Sequence, residues 1–386
     1  MKFQLNEILP NFLTHQINES LSHLKIGKSD IDATWEKVKT NPCFVRYKSI
    51  NGLLAVSVHQ KIMNDRRYIL ITQALQKIGP LPNLDFIVCL EDSINENIYP
   101  CPIFTFATKK PGTNLILMPD PTALDPKDRA YITKEIVKRG KIQYPWHNKK
   151  EIVFWRGSPT GPAPTEKEIL KNAWEKAPRF HLVRLSKSHP QTIDAGFITN
   201  PSVNPALVSW PYTSIGVENG PLLASKLEIV KPVHPRTHLQ YKYLIDVDGH
   251  SCCYSRTYWV LLSNSVMLKQ VTDHCQWFYK GIEPFVHFVP VEENLKDLFE
   301  KMTWCQANDQ KMEEIAERST EFALNYLQYE SNLLFLRELL KEYASHMRFE
   351  PRLEKGDLTR SLIPLYGQVF HTVKGFLRKK MNKPIA

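Results

Sequence analysis

Short apolar runs alternate along the chain with polar turns and with stretches of helical periodicity. The first clear run is Leu84-Asp85-Phe86-Ile87-Val88-Cys89-Leu90, too short for a helix and apolar at all but one position. It breaks off at Glu91-Asp92, as a strand buried on both faces would. Upstream the pattern is mixed, with helical patches that include Tyr68 to Ile78. Ile103 to Phe106 predicts a second strand, and Pro111 to Lys127, rich in proline, glycine and aspartate, predicts a loop. Ile152-Val153-Phe154-Trp155 predicts a strand that runs into Arg156-Gly157-Ser158-Pro159-Thr160-Gly161-Pro162. A helix follows, with a capping box between Thr165 and Glu168. Phe180 to Val183 reads as the next strand, and Asn200 to Pro235 as a long proline-punctuated connection. Tyr241 to Val247 predicts a strand, Asp248 to Ser251 a turn, Ser255 to Ser263 a helix and Val266 to Lys269 a strand. Phe285 to Val291 is a further strand candidate, and the pattern is helical from Asn294 to about Met347. This alternation predicts an α/β protein with largely parallel sheets.

Length adds a division. At 386 residues the chain exceeds what one typical core supports, so two domains are expected. A hydrophobic share of 42% with 23% charged residues fits a globular chain and excludes a disordered one. Met1 to Leu13 is interrupted by Lys2, Gln4, Asn6 and Glu7, which leaves no secretory apolar core. No apolar run is long enough to span a bilayer, and a cytoplasmic location is the expectation. The net charge of +10 points to anionic partners: phosphates, nucleic acid or a membrane surface. Zinc-finger spacing and RNP-like motifs are absent, so no nucleic-acid partner is expected. The seven cysteines are an odd number without a C-x-x-C pair, which predicts buried free thiols.

Ligands of open α/β sheets collect beyond the carboxyl ends of the strands. Asp92, the turn Arg156-Gly157-Ser158, and the segment Gly249, His250, Ser251, Cys252, Cys253, Tyr254, Ser255 and Arg256 all fall there. Each has an ordinary structural reading: a strand-terminal aspartate caps a helix, and an arginine forms a surface ion pair. The chemical reading makes Asp92 a candidate general base and the arginines partners of an anionic ligand. Asp246-Val247-Asp248 spells D-x-D, and alternation puts both carboxylates on one strand face, where Mn²⁺ or Mg²⁺ could bind. His234, His238 and His250 match no standard zinc spacing and read as loop histidines. Near the C-terminus, Val369, Phe370, Val373, Phe376 and Leu377 share a helical face, accompanied by Lys374, Arg378, Lys379, Lys380 and Lys383. Such a segment either lies on anionic lipid or is a solvated tail.

Taken in order, Leu84 to Asp92, Trp155 to Ser158, and Tyr241 to Leu244 running through Asp248-Gly249 to Tyr254-Ser255-Arg256 resemble the Rumi-type protein O-glucosyltransferase family. Its relatives include fungal capsule-associated proteins and bacterial lipopolysaccharide-modifying glycosyltransferases. Lys61 to Pro82, Pro102 to Phe106, Pro145-Trp146, His287 to Val291 and Asn294 to Tyr343 extend the resemblance over roughly residues 45–345. It implies a GT-B fold, two Rossmann-like domains facing a cleft. Residues 1–140 would form the acceptor side with the catalytic aspartate, and residues 141–325 the donor side. Residues 326–386 would be helices packing back on the N-terminal domain, ending in the basic amphipathic tail.

The resemblance also implies roles. Asp92 falls on the catalytic aspartate, and Arg156, Gly157 and Ser158 fall on a donor loop. Arg179 falls on a donor-contacting arginine once Leu182 to Ser186 is aligned, and Gly249 to Arg256 fall on the later donor loop. Inverting transfer from a UDP-sugar co-substrate is implied, with neither metal nor other cofactor. Pro159-Thr160-Gly161-Pro162 and the loop Asp120 to Asp125 differ from the glucosyltransferase form. The leading acceptor expected from the sequence is therefore a bacterial surface glycan, such as lipopolysaccharide, met at the inner membrane face through the basic tail. The alternatives are a protein Ser or Thr hydroxyl, including one reached by a secreted effector, and a non-catalytic nucleotide-sugar- or glycan-binding protein.

Overall fold

The computed structural model describes residues 9–94, 98–109, 113–137, 142–161, 166–171, 177–198, 229–354 and 362–364. Its strands are β1 Phe44–Ile50, β2 Leu53–Val58, β3 Leu84–Cys89, β4 Ile103–Thr105, β5 Leu115–Leu117 and β6 Lys150–Gly157. β7 Ile193–Phe197, β8 Tyr241–Asp246, β9 Val266–Gln270, β10 Val289–Val291 and β11 Leu362–Pro364 complete them. They form two sheets, one ordered β11-β2-β1-β3-β4-β5 and the other β10-β9-β8-β6-β7. Each carries helices, and the two α/β lobes face each other in a GT-B-like arrangement.

The second sheet is parallel at every pairing, as expected. The first is mixed, which corrects the expectation: β3, β4 and β5 are parallel, but β1 runs antiparallel to both β2 and β3. The cause is a hairpin. Asn51 and Gly52 both have positive φ, 49° and 78°, the twist-compatible geometry of a tight two-residue turn. β1 is buried at all seven positions although it contains Arg46, Lys48 and Ser49. Arg46 is tolerated there because its Nε and Nη2 donate to the two Asp85 oxygens on β3, at 2.8 and 2.7 Å.

Three further expectations are corrected. Phe180 to Val183 lies inside the helix Pro178–Ser188, with Pro178 in its first turn, and the strand of this region is β7. The expected loop Pro111 to Lys127 contains β5 and the start of the helix Pro126–Ile132. Of Phe285 to Val291 only β10 is strand, and Phe285 takes φ 60° in the turn before it. Thr165 of the expected capping box, residues 200–228 of the long connection, and the basic tail all lie outside the described residues.

The helix Tyr329–Ser345 returns to the first lobe. Tyr343 packs edge-on against Phe86 and Phe104, with centroids 6.4 and 5.1 Å away, and its hydroxyl donates to the Asp85 carbonyl at 3.2 Å. All seven cysteines are free thiols, six of them buried. No helix among the described residues is long and apolar enough to cross a membrane.

His238 ends the short helix Pro235–His238 and is buried between Phe154 and Trp259, each ring 4.8 Å away. Burial drives its pKa down to about 3, and burial likewise takes His274 down to about 4.

Two measurements test this packing. Tyr343→Ala should cost about 3–5 kcal/mol in urea unfolding, and Tyr343→Phe, which loses only the buried hydrogen bond, about 1 kcal/mol. The histidines give a signed pH dependence. Both have folded-state values below the ordinary 6.5, so the unfolded chain takes up protons first as pH falls. Stability should therefore drop on acidification, by about 1 kcal/mol per histidine between about pH 7 and pH 5.5, and His238→Phe should remove one such share.

Candidate active site

The carboxyl ends of β3 and β8 meet at the seam between the lobes. After β3 the Leu90 N–H bonds to the Cys43 carbonyl at 2.7 Å, and the chain then turns out of the sheet. The Asp92 carboxylate accepts from Arg67 Nη2 at 2.8 Å, while Arg67 Nη1 donates to the Leu90 carbonyl at 2.6 Å. Arg67 stands in the first turn of the helix Arg66–Lys77, whose N-cap Asp65 accepts from the Arg67 amide at 2.7 Å. The Asp92 side chain is 31% exposed, so it stays accessible while held in orientation.

The opposite wall is the loop after β8. Tyr254 and Ser251 both reach across to the main-chain carbonyl of Asp92: the Tyr254 hydroxyl donates to it, and the Ser251 hydroxyl lies 3.2 Å away. Phe106, just beyond β4, meets the Tyr254 ring edge-on at 6.5 Å. A second link is made by main chain alone, where Thr108 and Cys275 exchange N–H···O bonds of 3.2 and 2.8 Å.

Beneath the loop lies Arg179, from the helix Pro178–Ser188. Its Nε donates to the Val247 and Asp248 carbonyls at 3.1 Å, and Nη2 to Val247 at 3.0 Å and to Cys253 Sγ at 3.4 Å. Nη1 donates to the Ser158 carbonyl at 3.0 Å and to the Thr160 hydroxyl. This draws the loops after β6 and β8 so close that a Cβ on Gly249 would sit 2.6 Å from Thr160 Oγ1. Gly157 ends β6 against the Trp155 indole.

Arg156 and Arg256 differ sharply. Arg156 Nη2 is 2.7 Å from Asp194 Oδ1, and its Nη1 donates to the Trp155 and Asp194 carbonyls. Arg256 donates to the Arg156 carbonyl and lies over the Trp155 and Trp259 rings. Among the described residues no carboxylate comes within ion-pair distance of it. Burial lowers its pKa, a shift that Cys253 and Asp246 oppose. Cys252 and Cys253 are buried, the latter donating its thiol to the Val247 carbonyl at 2.8 Å; Ser255 is half-buried in the helix Tyr254–Leu261. The half-buried His250 has a lowered pKa because burial outweighs the pull of Asp92, and Arg179 adds to the lowering.

The D-x-D pair points into the lobe. Asp246 is fully buried and accepts from the Thr257 hydroxyl at 2.8 Å, and Asp248 accepts from the Thr272 hydroxyl at 2.7 Å. Lys269 Nζ lies 3.9 Å from Asp246 Oδ2. Among the described residues no cluster of three or more His, Cys, Asp or Glu is arranged to hold a metal ion. Sequence reading missed Arg67, whose only local signal is its place behind the capping Asp65. A cleft of about 490 Å³ opens on the first lobe, lined by Arg66, Leu70, Gln73, Asp125, Lys127 and Tyr131, among others.

Comparison with known proteins supplies the family. The chain is 28% identical over 284 residues to human Protein O-glucosyltransferase 3, covering 72% of this chain and 50% of that protein. It is 26% identical over 299 residues to human Protein O-glucosyltransferase 1, covering 73% and 67%. The chain thus spans about half the length of the first of these relatives. A crystal structure of Anabaena Alr3699/HepE in complex with UDP and glucose shares 14% identity and covers 54% of this chain and 52% of that one. Its TM-score is 0.31, too low to pair residues between the two. The model of glycosyl transferase family 90 matches residues 13–364, nearly the whole chain, and the protein belongs to that family.

Proposed function

We propose that the chain is an inverting glycosyltransferase that moves a sugar from a UDP-sugar onto a Ser or Thr hydroxyl of a protein, with Asp92 as general base. The observation that carries this reading is an accessible carboxylate, oriented by Arg67, at the seam where the β3 loop touches the loop after β8. Family membership and the names of the relatives support the transfer and favour a protein acceptor. The glycan acceptor expected from the sequence drew its support from the lack of a secretory apolar core, from the departures at residues 159–162 and 120–125, and from the basic tail, which lies outside the described residues. The proposal keeps the cytoplasmic setting expected from the sequence.

In the proposed reaction the acceptor hydroxyl gives its proton to Asp92 as its oxygen attacks the anomeric carbon. The bond from that carbon to the diphosphate breaks with its electron pair leaving on the phosphate oxygen. Arg256, a cation without a carboxylate partner among the described residues, suits the charge that develops there. Arg179 acts mainly by shaping the loop.

Asp92→Asn should lower transfer by about 10²–10⁴-fold while leaving UDP affinity, read by calorimetry, close to wild type. A variant with wild-type turnover would place the base elsewhere. EDTA should leave activity unchanged. Loss of activity rescued by Mn²⁺ would make ligands of Asp246 and Asp248 and overturn arginine-only neutralisation.

A further inference from the structure

The sequence groups Ser251 and Tyr254 with the donor loop, yet both hydroxyls are turned toward the opposite lobe. Tyr254 spends its single proton on the Asp92 carbonyl. The Ser251 hydroxyl lies 3.2 Å from that carbonyl and 2.8 Å from the Tyr254 oxygen, and its single proton can serve either acceptor. Burial, followed by the nearby Asp92, pushes the Tyr254 pKa well above the ordinary phenol value, which keeps the hydroxyl a proton donor. Asp92 is therefore gripped from two sides. Arg67, from its own lobe, takes the carboxylate, and the loop of the other lobe takes the carbonyl.

We infer that Tyr254 is a positioning residue for the base: its hydroxyl transmits the state of the donor loop to the main chain of Asp92. The contact fixes the direction of the peptide after Asp92, and with it the angle at which Cα presents the carboxylate to an acceptor. On its other side the loop rests on Arg179 through the Val247 and Asp248 carbonyls and presses Gly249 against Thr160. A diphosphate that seats on this loop restrains residues 249–254 and, through the Tyr254 O–H, the Asp92 peptide. An empty loop leaves the base less restrained. The inference rests on the proposed roles of Asp92 and of the donor loop.

The test uses the full chain with UDP as probe. It combines calorimetry, hydrogen–deuterium exchange over residues 90–94, and hydrolysis of UDP-glucose in the wild type, Tyr254→Phe and Asp92→Asn. Tyr254→Phe keeps the ring against Phe106 and removes only the hydroxyl. UDP should slow exchange in the wild type and in Asp92→Asn, which retains the carbonyl, by at least about fivefold. It should give no such slowing in Tyr254→Phe, although that variant binds UDP within about twofold of wild type. Hydrolysis by Tyr254→Phe should show kcat reduced by about tenfold at unchanged KM. Equal slowing in wild type and Tyr254→Phe, or no slowing in the wild type, overturns the inference. Full hydrolysis by Asp92→Asn would instead remove Asp92 as base, whatever the exchange shows. Failure of the wild type to bind UDP would overturn both readings.

Discussion

The site depends on one guanidinium. At the carboxyl edge of a parallel sheet the last carbonyls of each strand have no partner within the sheet, and water ordinarily takes them. Here Arg179 takes those of Ser158, Val247 and Asp248 at 3.0–3.1 Å. Charge-assisted bonds of this kind are roughly twice as strong as neutral ones. They gather the ends of β6 and β8 under one planar group, and the approach of Gly249 to Thr160 follows from that. So does the projection of Ser251 and Tyr254 across the seam to Asp92. Without the arginine the carbonyls would need other donors in a half-buried place, and the loop would lose its reference to the sheet.

Where a strand carries an unbroken run of apolar residues, its sequence declares it. β3, β8 and β9 were legible because each holds an unbroken apolar run: Phe86 to Cys89, Tyr243 to Ile245 and Val266 to Leu268. The hairpin β1–β2 was not, because Arg46, Lys48 and Ser49 interrupt its period while Asp85, which makes Arg46 tolerable, sits 39 residues away. Asn51-Gly52 was the available signal, and it marks a turn without naming the strands. Phe180 to Val183 suits either period, and Pro178 decided in favour of helix by fixing φ at the first turn. β5 has three residues, too few for any period to show.

The site was legible to the same extent. Asp92 and the two loops follow from a general rule about where sheets hold ligands, together with the family motif. The contacts that orient Asp92 do not, since Tyr254 lies 162 residues from it and the bond exists only once both lobes are folded. Nothing in a linear pattern says that a tyrosine on the loop after β8 will spend its proton on the peptide of the proposed base.

The same limit applies to the three arginines, which look alike in sequence and are not equivalent. Arg156 is neutralised by Asp194 and packed over Phe154, so it joins β6 to β7 and has little charge left to offer. Arg179 is engaged on all its nitrogens by the two loops it joins, those after β6 and β8. Arg256 has one carbonyl and two indole faces, and the acid that most affects it, Asp246, is already bound by Thr257. A guanidinium keeps its proton even when burial lowers its pKa, so this charge is carried at a desolvation cost that Asp246, beyond ion-pair distance, offsets only in part. A diphosphate would offset it. That difference in pairing assigns charge neutralisation to Arg256 and loop geometry to Arg179, within the mechanism proposed for Asp92.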